Sequence, residues 1–388
     1  MRNIPPSGTV PPAAPRVVFL GKAAYRLPLP DDLLQKLALH SRHLRQTSVG
    51  MGRPGVQIVE GVRLALLPAL PAPLGAVVFY VAGPVVAVLA ATGRGPSAIV
   101  CQSPLEGLGV IVLSRLVPRS LRPKVQVEVH GDWRTATRLY GSRVRRLASP
   151  FVDPACRWTL RRADQVRTLS TFLEGRVRDA GYSGPVEKYL TYSDYAAFLD
   201  PPLVPLPAEP VVAFVGALER YKGVEVLLDA WPTVLERLAG AKLEIIGAGS
   251  RDRDLRRQAA ALGLDGSVTF LAPMARPLLA ARLDRCTCLV LPSRLEGLGR
   301  VVLEAMARAR AVVASSDGGI VDLVEDGVTG RLVPPGDTRS LAAALVEVVA
   351  DREGAARMGK AGRRAAERRD PVAEYESGIA RLAAWIDA

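Results

Sequence analysis

Residues 288–306 read CLVLPSRLEGLGRVVLEAM. The apolar run Cys288 to Leu291 has the composition of a strand buried on both faces, and Pro292 stops it. Glycines at 297 and 299 then make a loop, and from Arg300 the apolar residues Val301, Val302, Ala305 and Met306 return at helical spacing. In such a strand–loop–helix unit the amides of Gly297, Leu298, Gly299 and Arg300 point outward as an anion nest, with the helix dipole behind them. Two carboxylates frame it: Glu296 in the loop and Glu304 on the helix. A carboxylate repels phosphate, so the task that suits these two is accepting hydrogen bonds from sugar hydroxyls.

A second unit of the same kind begins at the strand candidate Val211 to Val215. It is followed by Gly216-Ala217-Leu218-Glu219-Arg220-Tyr221-Lys222-Gly223 and a helix. The turn at Gly216 lets backbone N–H groups approach an anion, and Lys222 at the mouth of the helix adds a mobile charge. Taken alone, this stretch reads equally well as a turn with a solvated Arg and Lys.

Outward from these two units, short apolar runs alternate with helical patterns. Further strand candidates are Val17 to Leu20, Ile99 to Gln102, Val125 to His130 and Val166 to Ser170 in the first half. In the second half they are Leu243 to Gly247, Val268 to Leu271, Ala311 to Ala314 and Gly330 to Val333. Alternation of this kind predicts an α/β chain of two doubly wound, Rossmann-like domains. Five prolines in the eleven residues 200–210 suit neither helix nor central strand and mark the boundary and a hinge. The expected organisation is a disordered leader at 1–15, an N-terminal domain at 16–200, a C-terminal domain at 201–370 and a final helix at 371–388. That helix is expected to pack back on the first domain.

Composition bounds the partners. Residues 1–200 hold 26 Lys and Arg against 13 Asp and Glu, whereas residues 201–388 hold 25 against 25. The excess charge of +13 therefore lies in the first half, which predicts an anionic membrane surface or phosphorylated acceptor there. No recognition motif or aromatic platform accompanies it, so nucleic acid is not the expected partner. Four cysteines without a zinc spacing point to a reduced, cytoplasmic setting. Residues 64–93 contain no charge but are broken by four prolines, which predicts a loop and a buried helix around Leu74 to Thr92 before any membrane contact.

The motifs resemble those of the retaining GT-B glycosyltransferases of family 4, the group 1 glycosyl transferases. The resemblance rests on Glu296-x7-Glu304 within its Gly-x-Gly loop, Gly318-Gly319, Asp326-Gly327-x2-Gly330, Pro335-Gly336-Asp337, Ile246-Gly247-x-Gly249 and Leu262-Gly263-Leu264. More loosely it extends to His130-Gly131 and Ala163-Asp164-x-Val166 in the first half. It implies a GT-B fold, two Rossmann-like domains facing across a cleft, with the nucleotide of a nucleotide-diphospho-sugar on the C-terminal side. A UDP- or GDP-sugar is the expected donor, and a glycan or lipid-linked hydroxyl the acceptor. By position, Glu304 would hold the ribose, Gly216, Arg220, Lys222 and the Gly297 to Arg300 amides the diphosphate, and Glu296 the donor sugar. His130 would reach over the reacting carbon. No metal and no cofactor beyond the donor is implied, and Asp252-x-Asp254 reads as a solvated face. The chain departs from the pattern at Ala217, where the family often has Arg, and at Gly21-Lys22, a reduced form of the early glycine loop, which leaves the acceptor side undefined. A same-fold epimerase or phosphorylase, or a homologue that binds without turnover, is the alternative.

Overall fold

The computed structural model describes residues 14–71, 73–93, 95–134 and 143–388. Apart from residues 14 and 15, the expected leader lies outside them. The chain divides into two units, and the principal division falls between Asp194 and Tyr195, with Pro371–Ala388 belonging to the first unit.

Unit 1 is built on eight strands: β1 (Arg16–Ala24), β2 (Arg45–Gly52), β3 (Gly55–Val59), β4 (Val62–Pro68), β5 (Ser97–Cys101), β6 (Lys124–Val129), β7 (Gln165–Thr168) and β8 (Val186–Lys188). Their order is β3-β4-β2-β1-β5-β6-β7-β8, parallel except for the β3–β4 pair. From β1 the chain goes first to β2 on one side and later to β5 on the other, so the switch point lies between β1 and β5. The sequence pattern missed β2 because its core positions are polar. Gln46 and Ser48 are buried, and Gln46 accepts from His40 Nδ1 at 2.5 Å and donates to the Ser48 hydroxyl at 2.7 Å. The second nitrogen of His40 accepts from the Tyr375 hydroxyl at 2.7 Å. Burial and the nearby Lys36 cation push the His40 imidazole down to about 3, which keeps it in this neutral, two-partner form.

Tyr375 belongs to the final helix, Pro371–Asp387, which packs on unit 1. Its buried residues Tyr375, Ile379, Leu382 and Ile386 recur at helical spacing and cluster with Val17, Phe19, Leu39, Leu44, Ala98 and Val100. The helix Leu74–Ala91 lies beside the helix Pro104–Ser114, with Pro84 against Gly109. The first of these was expected to be buried. It is buried on one face only, for Leu74, Val77, Val81, Val85 and Leu89 are exposed.

Unit 2 has six parallel strands, β9 (Val211–Val215), β10 (Lys242–Ile246), β11 (Val268–Leu271), β12 (Cys288–Leu291), β13 (Ala311–Ser315) and β14 (Gly330–Val333). The order β11-β10-β9-β12-β13-β14 puts the switch point between β9 and β12. The proline-rich segment is pinned to this unit by two buried arginines. Arg308 donates to the carbonyls of Phe198, Pro201 and Pro202 at 3.0, 2.8 and 2.7 Å and forks onto both Asp284 carboxylate oxygens at 2.8 Å. Arg310 donates to the Val204, Leu283 and Asp284 carbonyls. Prolines supply no N–H to a ladder, so side-chain donors hold this stretch instead.

Two predictions follow from buried charge. Arg308→Ala leaves the Pro201 and Pro202 carbonyls without their donor and Asp284 with only Arg310 at 3.6 Å, and urea unfolding should show a loss of about 3–5 kcal/mol; a loss below about 1 kcal/mol would contradict the pinning role. In unit 1, Glu106 Oε1 accepts from the Lys22 N–H at 3.0 Å while Oε2 is buried without a partner among the described residues. Burial pushes the Glu106 carboxyl up to about 7, against the lowering effect of the Lys22 and Ser103 hydrogen bonds. The folded chain thus holds this proton more tightly than the unfolded chain, and stability falls as pH rises from the ordinary Glu range to about 7. Glu106→Gln should melt higher than the parent at pH 8, by on the order of 3 kcal/mol in stability, and lose that advantage below pH 4.5. A gap that does not change with pH would refute the assignment.

Candidate functional site

The loops that follow β9 and β13 each approach the loop after β12 backbone to backbone. Gly223 has φ 68°, and a Cβ there would stand 2.1 Å from the Pro292 carbonyl oxygen. Gly318 has the same φ, and its Cβ would stand 2.2 Å from the Glu296 carbonyl oxygen. Only glycine fits either position. Hydrogen bonds complete the join: Arg294 N–H donates to the Tyr221 carbonyl at 2.7 Å and Gly319 N–H to the Glu296 carbonyl at 2.8 Å. The Arg294 side chain pairs with Glu225 at 3.2 Å.

These contacts fix the nest. Among the described residues, the N–H groups of Gly297, Leu298 and Gly299 have no protein acceptor, and the helix Arg300–Ala307 starts directly behind them. Gly299 is the N-cap in left-handed geometry, with no side-chain cap. Open amides at a helix N-terminus attract an anion. The Lys222 ammonium comes to the same place from the other loop and pairs with Glu296 Oε1. Both side chains are largely buried, 13% and 11% exposed, so each is held where the other needs it. Arg220 is exposed and makes no ion pair among the described residues. Its neighbour Glu219 accepts from the Ser250 N–H and hydroxyl at 2.8 and 2.6 Å, tying the β9 loop to the loop after β10.

Glu304 stands in the second turn of the helix. Burial raises its carboxyl above the usual Glu range, and the Arg300 and Arg276 cations pull it back only in part. A half-buried carboxylate opposed by this cost is a strong acceptor for donors that arrive with a ligand. At the ends of β9, β10 and β11 lies a cavity of about 250 Å³, lined by Gly216, Ala217, Gly247, Pro273, Met274 and Leu279. Its walls are glycine backbone and apolar side chains, which suits a flat, weakly polar ring more than a charged group.

Unit 1 carries His130 and Gly21. His130 follows β6 and is 40% exposed on its side chain; its Nε2 lies 2.8 Å from Glu128 Oε2. Burial alone would raise the Glu128 carboxyl, but the Arg167 guanidinium at 2.6 Å and the His130 hydrogen bond outweigh it and hold the group well below the carboxylate range. An ionised Glu128 only accepts, so Nε2 of His130 carries the hydrogen. Sequence reading missed Glu128 and Arg167. The signal was an oppositely charged pair inside two buried strands, Glu128 in β6 opposite Arg167 in β7. Gly21 lies inside β1, which runs on to Ala24 where a loop was expected, and a Cβ on it would meet the Gln102 side chain. Among the described residues no group of three His, Cys, Asp or Glu side chains could hold a metal ion. Asp252 and Asp254 are ion-paired with Arg256, Arg257 and Arg251 on the surface of one helix.

The glycosyl transferases group 1 family matches residues 202–365. The alpha-D-kanosaminyltransferase of Streptomyces kanamyceticus is 30% identical over 260 residues, covering 63% of this chain and 66% of that one. The chain thus spans just under two thirds of that curated relative, and smaller shares of the others it matches. Among solved structures, sucrose-phosphate synthase from Thermosynechococcus elongatus superposes with a TM-score of 0.73 at 20% identity, over 96% of this chain and 98% of that one. Anabaena Alr3699/HepE, solved in complex with UDP and glucose, gives 0.71 at 19% identity, over 95% and 99%. Residues 202–365 thus match the glycosyl transferases group 1 family, and the two Rossmann-like units have the GT-B fold.

Proposed function

We propose that this protein is a retaining glycosyltransferase of family 4 that moves a sugar from a nucleotide-diphospho-sugar to an acceptor hydroxyl. The observation that carries the reading is the nest itself: open N–H groups at Gly297 to Gly299 backed by a helix, with Lys222 and Glu296 paired beside them. An anion flanked by sugar hydroxyls satisfies both halves of that pair at once, the phosphate taking Lys222 and the hydroxyls taking Glu296.

In this reading the diphosphate lies on the Gly297 to Arg300 amides, with Lys222 and Arg220 around it and the Gly216 turn beneath. The ribose hydroxyls donate to Glu304, and the base takes the cavity after β9 to β11. Uridine and guanosine both fit the need for a flat ring, and the UDP complex of the Anabaena structure favours the first. As the bond from the anomeric carbon to the leaving phosphate oxygen breaks, negative charge grows on the diphosphate, where fixed amides and cations stabilise it. The acceptor oxygen bonds to the same face of that carbon, and its proton passes to the departing phosphate oxygen. On unit 1, Glu128 orients the ring of His130, the residue that the family resemblance assigns to the donor sugar. Neutralisation of the leaving group by these cations requires no metal. The acceptor is a glycan or a lipid-linked hydroxyl, and the setting is cytoplasmic, in keeping with four free, buried cysteines.

Release of nucleoside diphosphate from a panel of UDP- and GDP-sugars tests the chemistry. Lys222→Ala should lower the rate about 10²–10³-fold. Nucleotide binding with no release from any sugar by the wild type would leave a binding protein and overturn the enzyme reading. A pH series tests Glu304 separately. The carboxylate is the form that accepts ribose hydroxyls, and its pKa is raised, so nucleotide affinity should fall as pH drops through a window above 4.5. Calorimetric titration of Glu304→Gln should instead give a weaker affinity, roughly 10-fold, that does not vary across that window. An unchanged pH profile in the variant would remove Glu304 from the site.

A further inference from the structure

The helix Leu74–Ala91 carries no charged residue, yet only 39% of it is buried. The buried part is the face on which Gly75, Phe79, Gly83, Pro84 and Ala87 lie, with Phe79 wholly enclosed. The opposite face shows Leu74, Val77, Val81, Val85 and Leu89 at 56, 58, 66, 42 and 71% exposure. At about 100° per residue these five fall within an arc of about 120°, and at 1.5 Å per residue the stripe runs about 22 Å. The neighbouring helix Pro104–Ser114 also exposes Val112, and Leu116 just beyond is 79% exposed. A continuous apolar stripe on an outer helix is a surface that something covers.

The charges around it select the occupant. Arg115, Arg119 and Arg122 follow the second helix and are exposed, and Lys22 lies 5.9 Å from the centre of the Tyr80 ring on the first. Residues 74–93 and 104–124 contain one carboxylate, Glu106, and it is buried. An apolar strip whose own and following segments expose cations and no carboxylate complements a surface whose interior is hydrocarbon and whose face is phosphate. A strip about 22 Å long and one helix wide, ~10 Å, is small beside the ~800 Å² per partner of a stable protein interface. A transmembrane span is excluded by packing, since the helix would have to surrender the face that encloses Phe79.

We propose that unit 1 docks on an anionic lipid bilayer, with the Leu74 to Leu89 face lying in the interface and Arg115, Arg119 and Arg122 on lipid phosphates. The helix lies parallel to the membrane plane and does not cross it. The apolar stripe supplies insertion, and the cations supply the preference for anionic lipid. The inference goes beyond the donor-site reading and does not depend on it, because every residue it uses lies in unit 1.

Sedimentation of the full chain with sucrose-loaded vesicles, phosphatidylcholine alone or with 30% phosphatidylglycerol, tests it. The wild type should partition at least about 10-fold more strongly onto the anionic vesicles. Val81→Asp/Leu89→Asp should lower that partition about 10-fold or more. Replacing Arg115, Arg119 and Arg122 by Ser should remove the preference for anionic lipid. Both sets alter exposed positions, so melting temperature and nucleotide binding should stay as in the wild type; should the double variant unfold, Leu89→Ser alone serves the same comparison. Failure of the wild type to sediment, equal partition of the wild type and the apolar-face variants, or a concentration-dependent dimer in sedimentation velocity that Val81→Asp abolishes, would each overturn the proposal. Loss of nucleotide binding with vesicle binding intact would count against the donor site and leave the docking standing.

Discussion

The candidate donor site depends on a contact between backbones. The loops after β9 and β13 each meet the loop after β12 with no side chain between them, because Gly223 sits against the Pro292 carbonyl and Gly318 against the Glu296 carbonyl. That approach brings Lys222 and Glu296, 74 residues apart in sequence, into one ion pair and leaves the amides of the β12 loop facing outward. A side chain at Gly223 would force the β9 and β12 loops apart and break the pair, and one at Gly318 would push on the Glu296 backbone from the β13 side. The switch point between β9 and β12 supplies the opening, and the glycines determine what lines it.

The two units solve the burial of polar groups differently from their apolar strands. Unit 1 encloses connected polar networks: His40 with Gln46, Ser48 and Tyr375, and Glu128 with Arg167 and His130. The first network joins the final helix to the sheet, and the second ends at the ring of His130. Unit 2 concentrates its buried charge in Arg308, Arg310 and Asp284, which hold the proline-rich segment at its start. Each network fixes a geometry: breaking the Glu128–Arg167 or the Arg308–Asp284 pair strands a buried charge, and breaking the His40 network strands buried neutral polar groups.

This difference explains what could be read from the sequence. In unit 2 the strands Val211–Val215, Val268–Leu271, Cys288–Leu291 and Gly330–Val333 match the expected runs residue for residue; the two central ones, covered on both faces, are apolar throughout, and the two edge strands admit only Thr269 and Arg331. The loop glycines were equally legible, since a turn beside a strand end leaves few residue choices. In unit 1, β2 was invisible: RQTSVGMG has no apolar run, and the burial of Gln46 and Ser48 is made tolerable by His40, which is itself held by Tyr375, 335 residues on. Glu128 escaped notice for the same reason, its partner Arg167 lying 39 residues on. Helical spacing identified Leu74–Ala91 as a helix. Which of its faces would be covered was a matter of tertiary packing, since every face is apolar.

The central claim is that the crevice after β9 and β12 takes a nucleoside diphosphate. A thermal-shift series with UDP, GDP and ADP, each with EDTA present, measures this most directly. The account predicts that at least one of the three, at 100 times its dissociation constant, adds about 2.7 kcal/mol of stability and raises the melting temperature by several degrees. If none of them shifts the melting temperature of the wild-type chain at millimolar concentration, the crevice is not a nucleotide site and the account is wrong.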